Sequence, residues 1–155
     1  MKKAIIIASA VTILYLMSSN KAFGKPTAVG KMRLCDVHGC GSFGADRGSR
    51  KHMGEDYVTA PGEPVYSPIC GKIIRVAYPY ADNLSYKGVE IKNSTHEVKI
   101  FYMTLTVPLG STVTLGQQIG VAQNIAAKYS PGMTNHVHVE VRNAARQLLK
   151  LSDLL

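Results

Sequence analysis

The sequence predicts a mainly β protein, and three observations carry that prediction. Beyond Asp56, short β-prone segments are separated by glycines and prolines at close intervals. One of them, His136-Val137-His138-Val139-Glu140-Val141, alternates polar and apolar residues without interruption. A helical pattern emerges only between Asn143 and Leu155, with Asn143 as a candidate N-cap and leucines at 148, 149, 151, 154 and 155. The expected architecture is a single antiparallel β-sheet or sandwich domain around a groove, followed by a short helical or irregular tail.

Taken in chain order, Lys2 and Lys3 precede an apolar run from Ala4 to Met17, a polar stretch from Ser18 to Lys21, and Ala22-Phe23-Gly24, a small-x-small cleavage pattern. This is the layout of an export signal. The run is shorter than the roughly 20 residues that a membrane span needs, so residues 1–24 are read as a leader, with an uncleaved anchor as the lesser alternative. Setting these 24 aside from 155 leaves 131 residues, enough for one core and too few for two. Residues 25–50, rich in glycine, serine and basic side chains and without periodicity, read as an irregular segment. The β domain is expected over residues 51–143. Within it Val65 to Ser67 lies between prolines, Lys72 to Ala77 follows a glycine, Val89 to Lys92 alternates behind Gly88, and Glu97 to Leu105 is one longer run. Residues 144–155 form the tail.

Of 18 basic and 10 acidic residues, Lys2, Lys3 and Lys21 belong to the leader, which leaves the remainder at +5. Such an excess favours anionic partners, among them cell-wall polymers, glycans and lipid head groups. Export, and the lack of a basic helix or an aromatic-studded RNA motif, argue against nucleic acid. Cys35 and Cys40 flank Asp36-Val37-His38-Gly39 and are a natural disulfide pair in an oxidising compartment. The alternative, half of a metal site, lacks a second cysteine pair to complete it. Cys70, beside Ile69, is expected as a buried free thiol, with an intermolecular bridge as the other reading.

Two histidine clusters carry the chemistry. On a strand His136, His138 and Glu140 share one face, with Cα atoms about 7 Å apart from one to the next, while the valines fill the other face. The second cluster is His52-Met53-Gly54-Glu55-Asp56, where Gly54 favours a loop entering a strand over a helix. Two imidazoles and a carboxylate would make three protein ligands with one open position, the pattern of a catalytic zinc site. Each cluster alone is also compatible with a half-exposed polar face. Glu55 should point away from Asp56, Glu140 is a partner of the metal face rather than a ligand, and His38 belongs on the Cys35–Cys40 loop. Tyr78, Tyr80 and Tyr86 line a recognition loop or cover the edge of the core.

The ordered set His52-x-x-x-Asp56, Pro64-Val65-Tyr66-Ser67-Pro68, Gly71-Lys72-Ile73, Val113 to Gly120 and His136-x-His138-x-Glu140 resembles the lysostaphin-type zinc metallopeptidases. Cys35 to Gly41 and Lys99-Ile100-Phe101-Tyr102 are similar to their non-enzymatic animal branch, leukocyte cell-derived chemotaxin. The resemblance implies an antiparallel β core around a groove, with zinc (Zn2+) on His52, Asp56 and His138 and with His136 as a catalytic histidine. One departure bears on activity. Where the peptidases carry Tyr-Ala-His-Leu, this chain has Tyr102-Met103-Thr104-Leu105, so Thr104 replaces the histidine that stabilises the developing oxyanion. Losing one such donor costs about 10²- to 10³-fold in rate. His96 lies too early in the same run to substitute.

The expected function is therefore that of a secreted or periplasmic zinc-binding protein, non-enzymatic or catalytically impaired, that recognises a receptor, glycan or peptide. The alternative is a zinc endopeptidase acting on peptidoglycan cross-links or glycine-rich peptides. Neither reading requires membrane insertion once the leader is removed.

Overall fold

The computed structural model describes residues 22–155, and in these the chain forms ten strands and a closing 3-10 turn at Leu151–Asp153. The strands are β1 (Glu55–Val58), β2 (Pro64–Tyr66), β3 (Gly71–Ala77), β4 (Gly88–Lys92), β5 (His96–Phe101), β6 (Met103–Leu105), β7 (Thr112–Val113), β8 (Gln118–Ala122), β9 (His136–Asn143) and β10 (Leu148–Leu149). A larger sheet is ordered β1-β9-β5-β4-β3-β7, with β10 also on β9, and a smaller one is ordered β2-β8-β6; all the pairings are antiparallel. The mainly β expectation holds.

Alternation explains the layering. Val137, Val139 and Val141 of β9 are at most 1% exposed and join Val98 and Ile100 of β5 and Val89 and Ile91 of β4 in one core. That core also takes in Val65, Met103, Ile119 and Ala122 of the smaller sheet, so the two sheets share it. The opposite face of β9 turns His136, His138 and Glu140 toward the groove.

Three expectations need correction. The run from Glu97 to Leu105 is not one strand. It breaks at Tyr102, whose φ of 65° turns the chain from the larger sheet (β5) into the smaller one (β6). The tail, expected as helical or irregular, holds no α-helix but a short strand and the 3-10 turn. Arg146 adopts φ 63°, and a turn closed by Asn143 N–H to the Gln147 carbonyl (3.1 Å) and Gln147 N–H to Asn143 Oδ1 (3.0 Å) folds Leu148–Leu149 back onto β9. Leucines that could have faced a helix stripe instead pair and pack: Leu149, Leu154 and Leu155 lie against the core and Leu151 within it. Cys70 is a free thiol but is exposed rather than buried, with Sγ accepting the Leu115 N–H at 3.2 Å.

Of the leader expected over residues 1–24, the part up to residue 21 lies outside the described residues. Phe23, placed in the leader by the cleavage pattern, is 4% exposed and belongs to the core, edge-on to His96 at 4.8 Å. Residues 25–50 carry only isolated bridges, among them Met32 to Tyr57 beside β1 and Asp36 to Gly39 inside the Cys35–Cys40 disulfide loop.

Candidate metal centre

Strand register builds the site. β1 pairs with β9 so that Asp56 lies opposite His138, and directly paired residues present their side chains on one face. On the other flank β5 sets Phe101 opposite His138, with the two rings stacked at 5.9 Å. His52 arrives from the segment before β1, which lies across β9. Gly54 makes that approach possible, because a Cβ there would run into the Val139 carbonyl oxygen.

The result is a triangle of ligating atoms. His52 Nε2 lies 2.9 Å from His138 Nδ1, His138 Nδ1 lies 2.9 Å from Asp56 Oδ1, and His52 Nε2 lies 3.2 Å from Asp56 Oδ1. The outer ring nitrogens are tied elsewhere: His52 Nδ1–H donates to the Ser42 carbonyl at 2.8 Å, and His138 Nε2–H faces Glu140 Oε1 at 3.4 Å. These partners only accept, so they fix the tautomers and leave both inner nitrogens as lone pairs. With both imidazoles neutral in these tautomers, three lone-pair atoms converge, a donor set that a proton or a metal cation can satisfy. Tetrahedral zinc with bonds of 2.0–2.1 Å separates its ligands by roughly 3.3 Å, so the donor set fits a divalent metal.

The electrostatics agree. Burial alone would raise the Asp56 carboxyl, but hydrogen bonds from His138 and His52 and nearby imidazolium charge hold it far below the usual carboxylate range. Burial likewise opposes protonation of His138, yet Asp56 and Glu140 raise it above an ordinary imidazole. The centre thus attracts a proton where it could hold a metal. His136 is lowered by burial, against the pull of Asp56 and the Thr134 carbonyl. Its Nδ1–H donates to that carbonyl at 2.7 Å, which leaves Nε2 free, 3.6 Å from Asp56 Oδ2.

The groove around these groups has a volume of about 610 Å³. His38, Tyr78 and Tyr80 line it, while Tyr86 and His96 do not. Glu55 is buried on the far side of β1, where it accepts Tyr57 Oη–H (3.0 Å), Ser152 N–H (2.9 Å) and Ser152 Oγ–H (2.6 Å). Thr104, on β6, is absent from the groove lining, and Tyr102 takes part in it instead. The left-handed backbone at Tyr102 directs its ring edge-on to His136 at 5.5 Å. Its hydroxyl bonds Tyr80 Oη (3.1 Å), which bonds Tyr129 Oη (2.9 Å). Burial, with the Asp56 charge adding, pushes the Tyr102 hydroxyl up to about 12 against the opposing bond to Tyr80, so it stays protonated at neutral pH. Sequence reasoning missed Arg33 and Arg47, which both approach Asp56 Oδ2. Isolated arginines in an unpatterned segment carry no signal of their own.

Residues 50–149 match the model of peptidase family M23. Leukocyte cell-derived chemotaxin-2 of Mus musculus is 36% identical over 111 residues, covering 71% of this chain and 72% of that one. Peptidoglycan DD-endopeptidase ShyB of Vibrio cholerae is 35% identical over 101 residues, 64% of this chain and 22% of that protein. A solved zinc-containing peptidase from Vibrio cholerae superposes with a TM-score of 0.56 at 26% identity, over 83% of this chain and 38% of that one. With the family match spanning most of the chain, this protein belongs to peptidase family M23.

Proposed function

We propose that the protein is an exported zinc-binding member of this family whose peptidase chemistry is impaired and whose groove recognises a receptor, glycan or peptide. The observation that carries the reading is a contrast: the ligand triangle is complete, while Thr104, in the place where the resembling peptidases carry an oxyanion-stabilising histidine, is absent from the groove lining. His52, Asp56 and His138 would hold the ion, which when bound supplies Lewis acidity and a polarised water. Arg47, Arg50, Lys99 and Arg142 line the groove and favour a ligand with carboxylate or other acidic groups. Export is supported by the leader pattern and the disulfide. Among the described residues no helix is long and apolar enough to cross a membrane.

A second reading, a working peptidase, is favoured by the free Nε2 of His136 and by the protonated Tyr102 hydroxyl in the same groove. There His136 would accept or return a proton while Tyr102 donates to the developing oxyanion. Both readings are tested by incubating the zinc-loaded exported protein with peptidoglycan and with a pentaglycine peptide while following newly released amino groups. No cleavage by folded, zinc-replete protein is the expected result. Cleavage that disappears in His138→Ala would establish the peptidase.

A further inference from the structure

Metal binding through Asp56 Oδ1 leaves the second carboxylate oxygen to be accounted for. Oδ2 accepts two bonds from Arg33, from Nε at 3.1 Å and from Nη2 at 3.0 Å. Arg33 is 3% exposed, a cation taken out of water. Its remaining nitrogen reaches the other way: Nη1 donates to Asp36 Oδ2 at 2.6 Å and to the Gly39 carbonyl at 2.9 Å, both within the ring closed by Cys35 and Cys40. Asp36 Oδ2 also accepts the Thr134 N–H at 3.1 Å, and the Thr134 carbonyl is the group that takes the His136 Nδ1–H. One unbroken chain of hydrogen bonds thus joins Asp56 to His136 through Arg33, Asp36 and Thr134. Arg47 braces the same ring, donating from Nη2 to the Cys40 carbonyl at 2.6 Å while standing 3.6 Å from Asp56 Oδ2. Gly39 is favoured there by its φ of 97°.

We propose that the Arg33–Asp36 pair, held in shape by the Cys35–Cys40 ring, is a positioning device that sets both the metal ligand Asp56 and the groove histidine His136. The inference rests on the zinc reading above. The guanidinium fork occupies Oδ2 and fixes the rotation of the carboxylate, so that Asp56 offers one oxygen to the ion. Asp36 holds the backbone of Thr134, and with it the tautomer of His136. Neither residue touches the ion. Electrostatics by itself works in the opposite direction, because a buried cation beside Asp56 repels a divalent metal. At Arg33 the sign of the mutational effect therefore separates a positioner from a mere counter-charge. Partners that orient metal ligands typically matter by about 10- to 100-fold in affinity.

The test compares zinc affinity, by chelator competition, and the visible spectrum of the cobalt(II)-loaded protein. The proteins are wild type, Arg33→Met, Asp36→Asn and the double variant Cys35→Ser/Cys40→Ser, with His138→Ala as the metal-site control. The expected result is zinc binding weakened by about 10-fold or more in all three test variants. Cobalt bands should lose intensity as Asp56 turns its second oxygen to the metal. In Asp36→Asn the His136 Nδ1–H should also exchange faster with solvent. Unchanged or tighter binding in variants with native circular dichroism would overturn the proposal. If Arg33→Met does not fold, Cys35→Ser/Cys40→Ser, which leaves every charge in place, decides the matter. In Asp36→Asn the lost negative charge weakens cation binding by itself, so there the deciding readout is the exchange of the His136 Nδ1–H. A wild type that binds no zinc removes the metal reading and this inference with it. Zinc binding lost in His138→Ala but unchanged in the three test variants overturns the positioning role alone.

Discussion

At position 104 the chain carries a short, uncharged hydroxyl where the resembling peptidases carry an imidazole, and the difference is one of reach and charge. Thr104→His should therefore create or raise peptide hydrolysis by roughly 10²- to 10³-fold, read as released amino groups. If wild type already cleaves well and the variant adds nothing, position 104 does not limit the chemistry. Glu55 presents the reverse situation, a buried carboxylate that accepts two bonds from Ser152, tying it to β1, and a third from Tyr57 within β1. Glu55→Ala leaves the Ser152 donors without their acceptor and should cost roughly 1–3 kcal/mol in urea unfolding. Phe23 has a consequence for processing. A core aromatic cannot leave with a leader without opening a cavity, so under the export proposed above N-terminal sequencing of the mature protein should find cleavage ahead of Phe23. Phe23→Ala should lose roughly 3–5 kcal/mol.

Elements place these residues through register. The β1–β9 pairing alone sets Asp56 against His138, and a slip by one residue would turn one of them away from the groove. The segment before β1 depends on Gly54 for its close approach to β9. Gly54→Ala should push His52 away from His138, with roughly 1–3 kcal/mol of strain and a loss of stoichiometric zinc in equilibrium dialysis. Retained zinc would show that the segment can shift without losing its ligand. At the other end of β9, the Asn143 side chain shapes the turn that returns β10, which explains why a residue suited to cap a helix here closes a hairpin.

Across the whole molecule, the break at Tyr102 lets one continuous β-prone stretch serve two sheets and delivers an aromatic ring to the groove. The smaller sheet covers the core from one side, and the groove lies on the opposite face of β9. The disulfide ring meets the segment before β9 through His38 Nε2 and the Pro131 carbonyl (3.2 Å) and through Asp36 and Thr134 (3.1 Å). An irregular N-terminal segment thus becomes a wall of the site without regular secondary structure.

The strict alternation of β9 was legible because side-chain direction on a strand follows from residue parity alone, whereas His52 enters from the segment before β1. The cysteine pair was legible because five positions of chain keep two thiols close. By itself, then, the sequence determined the β class, the cluster of His52, Asp56 and His138, and the disulfide. Only the tertiary structure decided which ring nitrogen of each histidine faces inward, which carboxylate oxygen Arg33 occupies, and whether Thr104 or Tyr102 looks into the groove. It also decided that the leucine-rich tail returns as a strand. Those outcomes depend on contacts between segments distant in the chain, and on a left-handed residue whose cost only the surrounding packing can offset.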